Sequence, residues 1–317
     1  MFKLGPQRIA QKRTAAGMIF AALLCGCALS PVPRAAEEVE PDGSVIWPIL
    51  RPAVGPPPKG SVPMQVSPPP NLASSEFGWL ADTEFLPPPT GPGPVTFDKA
   101  HPYVRNNTVG QPTFRIGDVS NPILRPWVVR RMKKDNDEVL AGKFAFTARS
   151  SCWPAGVPGF MVFGCGGRTV YFIQTLTEVI IINEGDQQVR HVYMNVPHSA
   201  RPKSSWYGES IGHYEAGGTL VIDTIGLNDK TFIDNYRTPH TNRLHVVERW
   251  KLTGGGGTLE VDIRVDDPGA FTTAWSARQV YTRTRQGAMT EQVCAENNTN
   301  YFGQNVTPTP MARVADF

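Results

Sequence analysis

The chain has 317 residues, of which 40% are hydrophobic, 19% charged and 9% aromatic, a globular composition with room for about two average domains or one large all-β domain. Its formal charge of +3 depends on Lys3, Arg8, Lys12 and Arg13, and without those four the count is 27 basic against 28 acidic residues. With neither a surplus nor a stripe of Lys and Arg to displace counterions from phosphates, nucleic-acid binding is excluded as a class.

In chain order, residues 1–27 read as an export signal: a basic stretch to Arg13, an apolar run from Ala15 to Leu24, then Cys25-Gly26-Cys27. The order fits a signal peptide, and about ten apolar residues are too few for a helix to span a bilayer, which takes about 20. Leu24-Cys25-Gly26-Cys27 resembles a bacterial lipobox, which makes Cys27 the expected lipidation site and gives a membrane contact through an N-terminal lipid anchor. The alternative is ordinary cleavage near Ala35-Ala36. Ala28 behind the cysteine resembles the outer-membrane sorting pattern, so the expected address is the periplasmic face of that membrane. Residues 28–76 follow as a proline-rich disordered tether; 17 of the 30 prolines fall between Ala28 and Pro94, and such a segment cannot bury a core. Residues 77–317 are left as a β-rich domain.

Within that domain one amphipathic helix is predicted, with Pro126 in its first turn, Val128, Met132, Asp135 and Val139 on one face, and Gly142 as the stop. Its charged faces read as solvated. Strands are predicted at Val170 to Leu176, Val179 to Asn183, Val189 to Val196, Ile211 to Glu215, Thr219 to Ile225, Leu244 to Leu252, Leu259 to Val265, Trp275 to Arg283 and Met289 to Ala295. Ala216-Gly217-Gly218 and Gly254 to Gly257 mark two hairpins. Short turns between about nine strands predict an antiparallel barrel or sandwich, with a closed, lipocalin-like barrel preferred. Export permits disulfides. Cys152 with Cys294 would tie the last strand to the body and Cys152 with Cys165 would close a short loop; Cys152 and Cys294 are carried as the working pair.

Gly208-Glu209-Ser210-Ile211-Gly212 matches the G-x-S-x-G pattern of serine hydrolases, but a strand and hairpin follow where the nucleophile elbow needs a helix. More telling is strand parity. Ile211, His213 and Glu215 share one face, as do Thr219, Val221 and Asp223 on the next strand; an inward carboxylate there would be an acid or base candidate. Glu248 falls on the apolar face of Leu244, Val246, Trp250 and Leu252, where it needs either an internal partner, for which Arg190 has the right parity, or a role lining a pocket. His198 and His240 each follow a proline that stiffens its loop. The candidate catalytic set is therefore His213, Glu215, Asp223, Glu248, His198 and His240, with Trp206, Tyr207, Tyr214, Trp250 and Arg190 as ligand-binding surfaces. No tight metal-ligand spacing or nucleotide fingerprint is present, so no metal or cofactor is expected.

Asn121 to Trp127, Cys152-Trp153-Pro154, Val189 to Asn195, Trp206 to Thr224 and Leu244 to Arg249, taken together, resemble a family of exported alphaproteobacterial proteins to which no reaction is assigned, over about Phe77 to Asn297. The usual Glu-Gly-Asp-Thr-Leu hairpin of that family is here Glu215-Ala216-Gly217-Gly218-Thr219-Leu220, without the acidic residue at Gly218. The resemblance implies an envelope location and a β-rich fold and carries no reaction. The expected function is acid-base chemistry without a cofactor, of lyase, isomerase or hydrolase type, on a small, partly apolar or aromatic molecule. The alternatives are a non-catalytic small-molecule binding lipoprotein and an envelope scaffold or assembly protein.

Overall fold

The computed structural model describes residues 69–74, 76–81, 83–102, 115–142, 152–162, 169–185, 188–284 and 289. The signal region, Cys27, Cys165, Cys294, the tether ahead of Pro69 and the strand expected beyond Met289 lie outside the described residues.

Nine strands close into one barrel in chain order: β1 (Gly78–Ala81), β2 (Thr169–Gln174), β3 (Glu178–Asn183), β4 (Gln188–Met194), β5 (Glu209–Tyr214), β6 (Leu220–Ile225), β7 (His245–Thr253), β8 (Thr258–Asp266) and β9 (Trp275–Thr284). Eight of them answer to predicted strands. The ninth, β1, was not predicted: it is four residues long, follows the proline-rich stretch, and closes the barrel by pairing with both β2 and β9. The single described α-helix, α1 (Pro126–Leu140), lies where predicted, although Asn136 rather than Asp135 joins Val128, Met132 and Val139 on its buried face. Asn136 exchanges hydrogen bonds with the Gly117 backbone. Asp135 and Asp137 pair with Arg131 and Lys133 on the solvated side.

One seam departs from the expected antiparallel pattern. β4 and β5 run parallel, with Val192, Tyr193 and Met194 opposite Ser210, Ile211 and Gly212. A tight hairpin cannot join parallel strands, and residues 195–208, which hold Pro197 and Pro202, form the crossover. Both glycines of the G-x-S-x-G match allow close packing of β5, Gly208 against β6 and Gly212 against β4 and β6. Gly208 has φ +67° and no room for a side chain against the Ile225 carbonyl, and a Cβ on Gly212 would meet Val192 and the Val221 carbonyl.

Alternation buries one face of every strand. Val170 and Phe172, Val179 and Ile181, Val192 and Met194, Leu220 and Ile222, Leu259 to Val265, and Trp275 to Tyr281 point into a single core. Phe172 meets Trp250 edge-on at 5.4 Å, and the Tyr281 ring lies 5.3 Å from that of Trp250. Val157, Phe160, Met161 and Val162, from the segment before β2, join the same core.

Among these apolar groups sits a buried ion pair. Arg190 on β4 and Glu248 on β7 are 2% and 0% exposed. Arg190 Nη1 and Nη2 donate to the two Glu248 oxygens at 3.1 and 2.6 Å, Nε donates to Ser210 Oγ on β5 at 3.0 Å, and Nη2 reaches Thr224 Oγ1 on β6 at 2.7 Å. The Phe160 ring covers the guanidinium at 5.5 Å. Removing one partner of such a pair leaves a buried charge uncompensated. Arg190→Met is expected to lower unfolding free energy by about 3–5 kcal/mol, and the combination of Arg190→Met with Glu248→Leu to be less damaging than either single change. Urea denaturation of the three variants tests this; equal losses in all three would show that the pair is not coupled.

Candidate functional site

The barrel interior is not where the candidate acids and bases meet. Glu248 and Arg190 are held by each other, and Trp250, 1% exposed, is core. The face of β5 and β6 that carries Ile211, His213, Glu215, Val221 and Asp223 points outward, since Ser210, Gly212, Leu220, Ile222 and Thr224 occupy the inward positions. His213 and Glu215 therefore lie on the outer wall. His213 is exposed, and Glu215 forms a two-pronged ion pair with Arg249, which holds its carboxyl below the ordinary range. His240 is buried: its Nδ1 donates to the Thr241 carbonyl at 3.0 Å and its Nε2 accepts from Thr231 Oγ1 at 2.7 Å. Burial pushes its pKa down, and the ring ties together two parts of the single connection between β6 and β7. Ser210, hydrogen-bonded to Arg190 and Thr224 inside the barrel, is no nucleophile.

The aromatic candidates scatter in the same way. Trp206 packs on Trp153 at 5.3 Å, and Tyr207 lies 6.2 Å from Phe160. Tyr214 accepts a hydrogen bond from Gln174 Nε2 at 2.7 Å. Cys152 is disulfide-bonded, with its partner outside the described residues.

What does converge is a network on the outer wall. The crossover that makes β5 parallel to β4 carries His198 back over β5 and β6. Its Nε2 lies 3.0 Å from Asp223 Oδ1 and its Nδ1 lies 2.9 Å from Glu209 Oε1 on β5. Glu209 is held in turn by the Ser199 backbone N–H at 2.8 Å and by the Ser199 hydroxyl. From the other side His245, the first residue of β7, brings its Nε2 to the same Asp223 Oδ1 at 2.8 Å. Both nitrogens of His198 face carboxylate oxygens. His245 differs: it is half-exposed and its Nδ1 has no hydrogen bond among the described residues.

The sequence pointed to His198 and Asp223 but missed Glu209 and His245. Glu209 was hidden inside the G-x-S-x-G match, and its only signal is outward parity next to an inward serine. His245 sits at a strand start, on the face opposite Glu248; its meeting with Asp223 depends on the β6–β7 register, and the long connection between those strands conceals that register.

The charges reinforce one another. The hydrogen bond and charge of Asp223 raise His245 above its ordinary 6.5 despite partial burial. Burial works against Asp223 and Glu209, but hydrogen bonds from His245 and His198 in the first case, and from Ser199 and His198 in the second, leave both below the usual carboxylate values. An imidazole whose one nitrogen is fixed by a carboxylate and whose other nitrogen is open can give or take a proton at that open position. Tyr193, Ile211, Asp223 and Val247 stand in one outward row across four strands, so apolar surface adjoins the carboxylate on both sides.

Among the described residues no group of three or more His, Cys, Asp or Glu side chains is arranged to hold a metal ion. A surface depression at Arg130, Lys133, Lys134, Asp137 and Glu138 on α1 is wide open and has no histidine. The molecule is thus a closed mixed β-barrel with a filled interior and a histidine–carboxylate network on its outer wall. Neither the protein-family models, nor the curated proteins, nor the solved structures contain a match to the chain.

The network makes stability depend on pH. The contribution of His245 is fully present below about pH 6.5 and is lost as pH rises through its raised folded value. Those of Asp223 and Glu209 are present above about pH 4 and lost as pH falls through their lowered values. Asp234, a carboxyl that burial pushes up to about 6, titrates nearby, so the difference between wild type and His245→Gln isolates the network. Between pH 6.5 and 8.5 the wild type is expected to lose up to about 1 kcal/mol more than His245→Gln, a small figure because the groups are partly solvated. Parallel urea curves for the two proteins over that range would show that His245 does not titrate with folding.

Proposed function

We propose that this is an exported enzyme, anchored through Cys27 at the periplasmic face of the outer membrane, that acts by acid-base chemistry without a cofactor on a small, partly apolar or aromatic molecule. The observation that carries the reading is the pair Asp223–His245, in which the carboxylate fixes Nε2 of a half-exposed ring whose Nδ1 has no hydrogen bond among the described residues. Asp223 orients the ring, His198 and Glu209 hold Asp223 in place, and His245 Nδ1 exchanges the proton. An apolar or aromatic body would rest on Tyr193, Ile211 and Val247. The reaction class is proton transfer of lyase, isomerase or hydrolase type, and the interior of the barrel takes no part.

A non-catalytic scaffold or assembly role is the second reading. It is favoured by the packed interior and by the exposed aliphatic side chains on β2 to β4, features that an interaction module needs and a carrier with an internal cavity does not. A ligand screen by thermal shift separates the two readings. The enzyme reading expects a small aromatic or amphipathic compound that raises the melting temperature of wild type but not of His245→Gln, and turnover of that compound class falling by about 10²–10⁴ in His245→Gln, the usual weight of one acid-base group. A hit that stabilises both proteins equally would show small-molecule binding away from His245 and overturn the enzyme reading, and no hit from a broad panel would transfer the assignment to the scaffold.

A further inference from the structure

The outer wall of the barrel has two unlike sides. On β7 to β9 the outward positions carry Arg249, Lys251, Glu260, Asp262, Arg264 and Arg278, with ion pairs from Arg278 to Glu260 and Asp262. On β2 to β4 the outward positions include Ile173, Ile180, Ile182 and Val189, arranged in adjoining rows by the pairings Ile173↔Ile180 and Ile182↔Val189, with His191 opposite Ile180 and Glu178 opposite Tyr193 on the same face. Ile173 is 49% and Val189 47% exposed, and Leu176, at the turn between β2 and β3, is 97% exposed. Antiparallel strands with one face in water normally alternate apolar and polar residues. Here a cluster of the outward positions is apolar as well, interrupted by the Glu178–His191 pair, and an exposed aliphatic cluster marks a surface that is covered in use. The cover is not an added strand, because a closed barrel has no free edge.

The path of the chain indicates what the cover is. Gln174, the last residue of β2, donates through Nε2 to the Pro70 carbonyl at 3.0 Å, and its Oε1 accepts from the Leu72 backbone N–H at 2.7 Å. The proline-rich tether therefore joins the domain at the end of the barrel where β2 finishes, two residues before Leu176, with Leu72 buried there and Pro70 close to the β5–β6 turn at Gly218. We propose that this face of β2 to β4 docks on a lipid bilayer surface, with Leu176 inserted at the tip. The proposal rests on the reading that the tether leads to a lipid anchor. The charged wall of β7 to β9 rules out a barrel ringed by lipid, since a membrane-spanning barrel needs an apolar band on all sides. The contact is peripheral. No Lys or Arg lies among the outward residues of β2 to β4, where His191 and Glu178 are paired with each other, so attachment is hydrophobic and insensitive to salt. A weak hydrophobic contact and a tethered anchor reinforce each other through effective concentration. Tyr193, at the border of this face, leads through Ile211 to Asp223, which sets the histidine–carboxylate network at the rim of the docked surface.

The experiment is flotation of the mature chain from Ala28, which lacks Cys27 but keeps every described residue, with vesicles of phosphatidylethanolamine and phosphatidylcholine at 0.1 and about 0.5 M salt, concentrations at which charge-driven binding would differ strongly. Wild type is expected to float equally at both. Leu176→Asp combined with Val189→Asp should lower the bound fraction at least about tenfold, the scale for losing two exposed aliphatic contacts, with an unchanged circular dichroism spectrum. Lys251→Glu on the charged wall should bind as wild type does. No flotation at millimolar lipid, flotation that vanishes with salt, undiminished binding by the double variant, or a dimer in light scattering that Leu176→Asp dissolves without any vesicle binding would each overturn the proposal. Acylation of Cys27 is read separately from the mass of the native N-terminal peptide, so failure of the anchor and failure of the docking face are distinguishable.

Discussion

A guanidinium and a carboxylate enclosed in a barrel impose a register that nothing else in this chain imposes. The β5–β6 and β7–β8 hairpins take their register from their turns, but β4 and β5 are joined by a crossover, and β6 and β7 by a long connection, and neither fixes a pairing. Arg190 reaches across both seams, from β4 to Ser210, Thr224 and Glu248 on the next three strands. A slip of one residue at β7 would turn Glu248 to the outer wall and bring Arg249 inside. Two like charges would then share a low-dielectric interior.

The outer network inherits this constraint. Ser210 and Thr224, which grip Arg190, are the immediate neighbours of Glu209 and Asp223, which grip His198. Side chains one residue apart on a strand face opposite ways, so the level that holds the ion pair inside also holds the carboxylates outside. Three of the four network residues thus sit on or at the start of barrel strands, a more rigid footing than loops provide; His198 alone comes from the crossover, tied down at both ring nitrogens.

Much of this was legible in the sequence where physics is local. Gly217-Gly218 and the run Gly254 to Gly257 marked hairpins because they supply φ values that other residues resist. The parity of Glu248 and Arg190 was enough to suggest that they meet, since burial of a lone carboxylate is prohibitive. What escaped depends on long-range closure. β1 is too short to carry a pattern of its own. The parallel seam follows from the return path of residues 195–208, which no turn signal encodes. Alternation likewise gave the two faces of β5 and β6 but not which of them was inside: His213 and Asp223 lay beside enough aliphatic residues to read as an inner face, and only Leu220, Ile222 and the partners of Arg190 decide otherwise.

Closure by β1 has a consequence for the order of assembly. Gly78–Ala81 is the first barrel strand to be made, yet one of its partners is β9, the last. Contacts between segments so far apart in sequence form slowly and leave strands unpaired in the meantime. A chain that emerges N-terminus first must therefore keep β1 waiting until its C-terminal third has been delivered, which makes the barrel a structure that can be completed only after synthesis, with its earliest strand as the last staple.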